Sequence, residues 1–307
     1  MFIPYLTPRS PQKGGGGAKG GGSSSSSSSS GGKGSSSSSS SGTGKGTSSS
    51  SSSGKTSPIS SSGGARSATT YNFGGGKSST IPSGQTFAGR SQGGANRNQI
   101  WGTRTYGSGY PGIYSRGVAG RGFPFYFWPV VWGSGAGYTS ENAYLHDGEY
   151  GDATNSSRPG GPMASATFQS NSTASTFHLI ADNTTVGDLI SAITSNCSSH
   201  LVTPLPTGPT PLNSSGSGYA PEQVVQYYRA SSVALTLDGY NNSAVFAAEN
   251  STADTPLPSG IDPTLLDCLN STIGQATPLI DAGIMSRGAV PPFGLLLCLI
   301  VWVQWLL

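Results

Sequence analysis

No acidic residue occurs before Glu141: all thirteen Asp and Glu lie from that position onward, beside only three of the sixteen Lys and Arg. The formal net charge of +3 therefore conceals a basic first half with thirteen cations and an acidic second half. Such asymmetry reads as a basic arm joined to an acidic domain. Histidine is also scarce, and His146, His178 and His200 stand at no metal-ligand spacing to one another or to a cysteine. His-Glu-x-x-His, Gly-x-Ser-x-Gly and Cys-x-x-Cys are all missing, so zinc hydrolysis, nucleophile-elbow chemistry and dithiol exchange have no carrier. Glu222 with Asp238 would serve as a glycosidase-like pair, but any two acids of this half fit that description equally well. Gly54-Lys55-Thr56 and Gly76-Lys77-Ser78 imitate the end of a phosphate-binding loop without the earlier glycine it needs. The reading is of a non-enzymatic protein, with no catalytic residue, metal ligand or cofactor assigned.

Cysteine is limited to Cys197, Cys268 and Cys298. The last lies in the uncharged, apolar run 293–307, which as a helix would extend about 22 Å against a hydrocarbon core of about 30 Å. With Pro291 and Pro292 in front of it, the run reads as a removable signal rather than a stable span. Asp281-Ala282-Gly283 supplies the small residues of a glycolipid-anchor site, residues 284–292 the spacer and the apolar run the tail, so attachment is assigned to Asp281. A short retained tail anchor and a buried C-terminal helix are the alternatives. Removal of the tail would leave Cys197 and Cys268 to close a loop of about 72 residues in an oxidising compartment, worth about 4 kcal/mol in lost chain entropy. Two buried free thiols are the other reading.

Asparagine supports the secretory route. Nine of thirteen lie between Asn155 and Asn270, and eight of those nine open an Asn-x-Ser/Thr triplet: Asn155, Asn171, Asn183, Asn196, Asn213, Asn241, Asn250 and Asn270. With Ser and Thr making up about a quarter of this half, chance supplies about two, so a glycan-covered surface is expected. Against this, residues 1–10 contain no apolar stretch of the about 7 to 15 residues that a secretory leader carries. The expectation is that the true start, with its leader, precedes this Met1.

Composition divides the chain further. Residues 13–64 are almost entirely Gly and Ser interrupted by Lys, which cannot offset the entropy of ordering; an arm over 1–68 is expected to be a disordered coil, with serine runs open to O-glycosylation. Residues 69–165 combine Gly with Arg and aromatics and are expected to be largely irregular. Arg beside Tyr and Phe also suits phosphate contact and base stacking, but a lumenal, glycosylated chain does not meet RNA. The dense cluster 123–132 is instead expected to dock on the C-terminal domain or on another copy.

Residues 166–275 carry a small α+β domain. A strand is expected over 175–181, then a helix opened by a Thr185-x-x-Asp188 capping box with Val186, Leu189, Ile190 and Ile193 on one face. A Pro-rich loop over 203–221 precedes a short helix over 221–229, and 232–237 with 243–246 form a hairpin about Asp238-Gly239. Asp262-Pro263 caps a last helix stopped at Gly274, and the disulfide would staple the two helices across the sheet. Residues 276–292 form a linker containing the anchor site, and 293–307 the tail. The fold class is thus a mostly disordered N-terminal half, a small α+β domain and a C-terminal hydrophobic tail helix.

The Gly/Ser/Lys tract, the Arg-Gly-Phe-Pro-Phe-Tyr-Phe-Trp-Pro stretch at 121–129, the Tyr-Tyr-Arg-Ala-Ser-Ser-Val-Ala-Leu-Thr-Leu-Asp-Gly-Tyr segment at 227–240 and the anchor-like tail together resemble uncharacterised Gly/Ser-rich cell-surface glycoproteins of basidiomycete fungi. The resemblance implies a fungal cell-surface or cell-wall location and brings no catalytic residues. The expected partners are the membrane, through tail or anchor, and anionic wall polysaccharide held weakly by the cationic arm. A secreted carbohydrate-binding module or hydrolase within 166–275, and a tail-anchored cytosolic protein with an RNA-contacting Arg-Gly arm, are the alternatives.

Overall fold

Alternating residues along Met163–Gln169 and Thr176–Asp182 are buried on opposite sides, which requires a sheet covered on both faces. The computed structural model describes residues 54–61, 64–133, 139–146, 148–213 and 218–282 and has that sheet at its centre. In chain order its strands are β1 Thr56–Ser61, β2 Gly64–Thr69, the two-residue pair β3 Ser79–Thr80 and β4 Ser91–Gln92, β5 Met163–Gln169, β6 Thr176–Asp182, β7 Thr210–Pro211, β8 Val224–Tyr228, β9 Val233–Leu237 and β10 Leu279–Ile280. The helices are α1 Asn183–Cys197 and α2 Pro263–Ala276. Five strands in the antiparallel order β7-β5-β6-β9-β8 make the main sheet, and β1-β2-β10 make a smaller one.

Pairing registers assign the two faces. Met163 faces Asp182, Ile180 faces Ala234, and Ala234 faces Tyr227 across neighbouring strands, so these side chains share one side. Helix α1 packs on β5 and β6 and against α2, with Val186, Leu189 and Ile193 fully buried. The opposite side is covered by residues 101–132: the Val131 N–H meets Met163 Sδ at 3.3 Å, and the rings of Trp132 and Tyr106 lie 6.3 and 5.7 Å from that of Tyr227. Phe123, Phe125, Tyr126, Phe127, Trp128, Val130 and Trp132 are all buried, so the cluster 123–132 docks within the chain. This segment is irregular but supplies the aromatic part of the core on this side of the sheet.

Several expectations are corrected. The arm does not extend to residue 68: β1 and β2 form a hairpin, because Ser57 and Ile59 on one strand and Ala68 on the other turn inward against the domain. Asp188 anchors it by accepting from Ser57 Oγ at 3.0 Å and pairing with Lys55 Nζ at 2.8 Å. Residues 1–53 and 283–307 lie outside the described residues. Helix α1 begins before Thr185, since Asp182 Oδ1 accepts the Thr185 N–H at 2.9 Å and supplies the cap. Residues 221–229 are not a helix; one 3-10 turn at Pro221–Gln223 leads into β8, where Val and Tyr fit a pleated surface better than a helix. Ser243–Phe246 is a 3-10 turn, and β9 pairs with β6 and β8 instead.

Asp262 caps α2 as expected by accepting from the N–H groups of Thr264 and Leu265 at 3.0 Å. The helix then runs through Gly274 to Ala276. Glycine stands there because a Cβ would lie 2.3 Å from the Trp101 indole. Cys197 and Cys268 staple α1 to α2 side by side, in one layer, rather than across the sheet. Among the described residues no helix is long and apolar enough to cross a membrane.

Candidate functional site

The eight sequon asparagines are spread over turns, loops and helices, and none is buried: Asn155 and Asn270 are half-buried and the other six exposed. Asn242, which opens no sequon, is 0 % exposed; its Nδ2 donates to Asp254 at 2.8 Å and its Oδ1 accepts from Thr255 at 2.9 Å. A buried amide is retained for its hydrogen bonds, whereas a glycan-bearing one must project. Asn183 opens α1, Asn196 lies one residue before its end, and Asn250 occupies a turn with φ of 61°.

The structure brings Cys197 and Cys268 together with sulfurs 2.01 Å apart. Asp281 is exposed, bridges Gly75 and accepts the Gly74 N–H at 3.1 Å, closing the last strand of the small sheet. Of the suggested carboxylates, Asp238 meets His178 Nε2 at 2.9 Å. The other imidazole nitrogen contacts Thr167 Oγ1 at 3.0 Å and Tyr219 Oη at 3.3 Å. With both ring nitrogens engaged, this is a cross-strand polar network and not a base aimed at open space. Among the described residues no group of three His, Cys, Asp or Glu side chains is placed to hold a metal ion.

Loop residues 103–116 and the turn 249–254 enclose a cleft of about 500 Å³. Tyr114 on its lip is 89 % exposed, and Tyr110 forms the buried wall. Burial pushes the Tyr110 hydroxyl far above its ordinary range. Arg116 fixes the lip by donating to the Ala247 carbonyl at 2.7 Å beside the Tyr144 ring. Glu249, Asn250 and Asp254 line the floor and far side. An exposed ring next to carboxylates, hydroxyls and an amide can stack on the apolar face of a sugar while bonding its hydroxyls. The cleft draws on both halves of the chain, so it is not contained in residues 166–275.

No family model, curated protein or solved structure matches this chain.

Residue types alone did not show what the arginines from Arg66 onward hold. Arg97 donates to the carbonyls of Asn72 and Gly274 at 2.9 and 3.1 Å, Arg104 to that of Thr255 at 3.2 Å, and Arg121 to those of Gly107, Ser115 and Arg116 at 2.7 to 3.1 Å. Arg66, Arg90, Arg104, Arg116 and Arg121 each lie over an aromatic ring at 4.4 to 5.7 Å, and Arg90 also pairs with Glu149. Their guanidinium forks serve the fold, which leaves little for phosphate. Deeper still, Arg158 donates to the carbonyls of Tyr150, Trp128 and Pro129. Arg229, 0 % exposed, meets Asp182 at 2.7 Å, Ser232 Oγ at 2.8 Å and the Pro278 carbonyl at 3.0 Å beneath the Phe127 ring at 3.5 Å. Burial lowers both guanidinium groups to about 10, a value at which each remains charged at neutral pH. No single-sequence signal marks such arginines, because their acceptors are backbone carbonyls distant along the chain.

Proposed function

We propose that this chain is a non-enzymatic, N-glycosylated fungal cell-surface or cell-wall protein, with its domain held at the membrane through Asp281 and the C-terminal run. The observation that carries the reading is the contrast among asparagines: none of the eight that open a sequon is buried, and six are exposed, while Asn242 is buried in hydrogen bonds. The cysteine pair supports an oxidising compartment. The cationic partner-binding part of this reading rests on Arg9, Lys13, Lys19, Lys33 and Lys45, since Lys55 pairs with Asp188 and arginines such as Arg97 and Arg121 hold backbone. Anionic wall polysaccharide is the partner class that fits them.

Treatment of the protein from native cells with N-glycosidase tests the reading. A large downward shift on a gel is expected, and an unchanged mobility would overturn it. A second reading, carbohydrate binding in the cleft beside Tyr114, is favoured by the exposed ring and its polar surround. Loss of wall-polysaccharide binding in Tyr114→Ala, with an unchanged melting temperature, is the result expected of it.

A further inference from the structure

A second cleft, of about 520 Å³, is lined by Tyr71, Ser195, Asn196, Cys268, Ser271 and Gln275. We propose that a glycan on Asn196 seats in this cleft against Tyr71 and shields the Cys197–Cys268 disulfide from attack by thiols. The proposal rests on the glycoprotein reading and assigns one of its glycans a task.

Asn196 Nδ2, the atom that takes the sugar, lies 3.3 Å from Tyr71 Oη and donates to it. A glycosylated amide keeps one N–H, which can hold this contact while the first sugar takes the other position on the same nitrogen, beside Tyr71. Tyr71 is held at φ of 62°, a region costly for an aromatic residue, and its ring is exposed. An exposed aromatic face is a stacking surface for a sugar ring. The two sulfurs differ in access. Cys197 is fully buried, whereas Cys268 is half-buried and lines the cleft, its Sγ 3.6 Å from the Asn196 carbonyl. Thiol exchange needs an open line to one sulfur, and that line to Cys268 passes through the volume the glycan takes. The order of events also fits: Cys268 follows Cys197 by 71 residues, so Asn196-Cys197-Ser198 is presented to the glycosylating enzyme before its cysteine meets a partner.

The test uses the full chain, secreted behind a leader from a eukaryotic host. Ser198→Ala removes the sequon and leaves Asn196 and both cysteines intact, and Asn196→Gln removes it independently. Asn183→Gln deletes a glycan at the other end of α1, about 20 Å away along the helix, and is the control. Native protein is treated with dithiothreitol, quenched by alkylation and followed through the masses of the Cys197 and Cys268 peptides. Reduction about tenfold faster in Ser198→Ala and Asn196→Gln than in the parent and Asn183→Gln is expected, with Tyr71→Ala in between. Equal rates in parent and Ser198→Ala overturn the proposal. An unmodified Asn196 in a chain glycosylated elsewhere overturns it and leaves the glycoprotein reading standing, while no glycan at any sequon overturns both.

Discussion

The two faces of the main sheet are covered by layers built on different principles. Helices α1 and α2 close their own backbone hydrogen bonds and need side chains chiefly at their caps, Asp182 and Asp262. The opposite layer, residues 101–132, has almost no ladder to close, so its carbonyls are met by guanidinium groups, tyrosine hydroxyls and scattered main-chain contacts such as the Tyr227 N–H to the Thr103 carbonyl at 2.9 Å. An arginine fork has five donors and no acceptor, which suits a region rich in orphan carbonyls. The comparison teaches that a Gly/Arg/aromatic composition can build a buried layer when the cations are used as hydrogen-bond donors to backbone.

The largest effect should come from breaking the point where both layers meet. Arg229 sits on a β8–β9 turn in which Arg229, Ala230 and Ser231 all have φ between 48° and 61°, and its partner Asp182 caps α1. Arg229→Met leaves a buried carboxylate uncompensated, and a loss of about 3–5 kcal/mol in urea unfolding is expected. Adding Asp182→Asn, which can still cap, should restore part of that loss. In the helical layer Gly274→Ala would gain up to about 1 kcal/mol on propensity alone. The Trp101 contact reverses the sign, and a net loss of about 1–3 kcal/mol by thermal melting is expected.

Acid sharpens the contrast in another way. Burial pushes the Asp262 carboxyl up, but the hydroxyls of Ser170 and Ser172 and the N–H groups of Leu265 and Thr264 outweigh it and hold it at about 2, below the ordinary 3.8. The folded chain therefore binds fewer protons than the unfolded one between these values. The resulting stability, about 2 kcal/mol, is present above pH 3.8 and lost as pH falls towards 2. Asp262→Asn should flatten that part of the stability-against-pH curve. The smallest effect expected is that of Arg121→Lys, which keeps the charge and loses the fork. A cost of about 1 kcal/mol by urea unfolding follows if the fork matters, whereas an unaltered midpoint would mean that charge alone suffices.

Legibility in the sequence followed the same division. Strand β6, the buried stripe of α1, the Asp262-Pro263 cap and the cysteine pair were readable because each depends on local pattern or on an even count. The β1–β2 hairpin was not, since only Ile59 and Ala68 distinguish it from a Gly/Ser coil and both draw their burial from elsewhere. β8 was misread as helix because Pro221-Glu222-Gln223 begins as one, and only the neighbour β9 decides that Val224–Tyr228 extends. The eight sequons were fully legible as triplets. The clefts were not, because Tyr71 meets Asn196, and Tyr114 comes to line one cleft with Glu249, only after distant segments fold together.

Strand β2 separates β1 from β10, and both neighbours run antiparallel to it, so the first and last described strands are parallel to each other. Gly54 therefore leaves this sheet at one end and Ala282 at the other. Tension applied between these two points would load the small sheet in shear, drawing on several hydrogen bonds at once rather than peeling them singly. The five-stranded sheet, threaded between those points, would be spared until that clasp slipped.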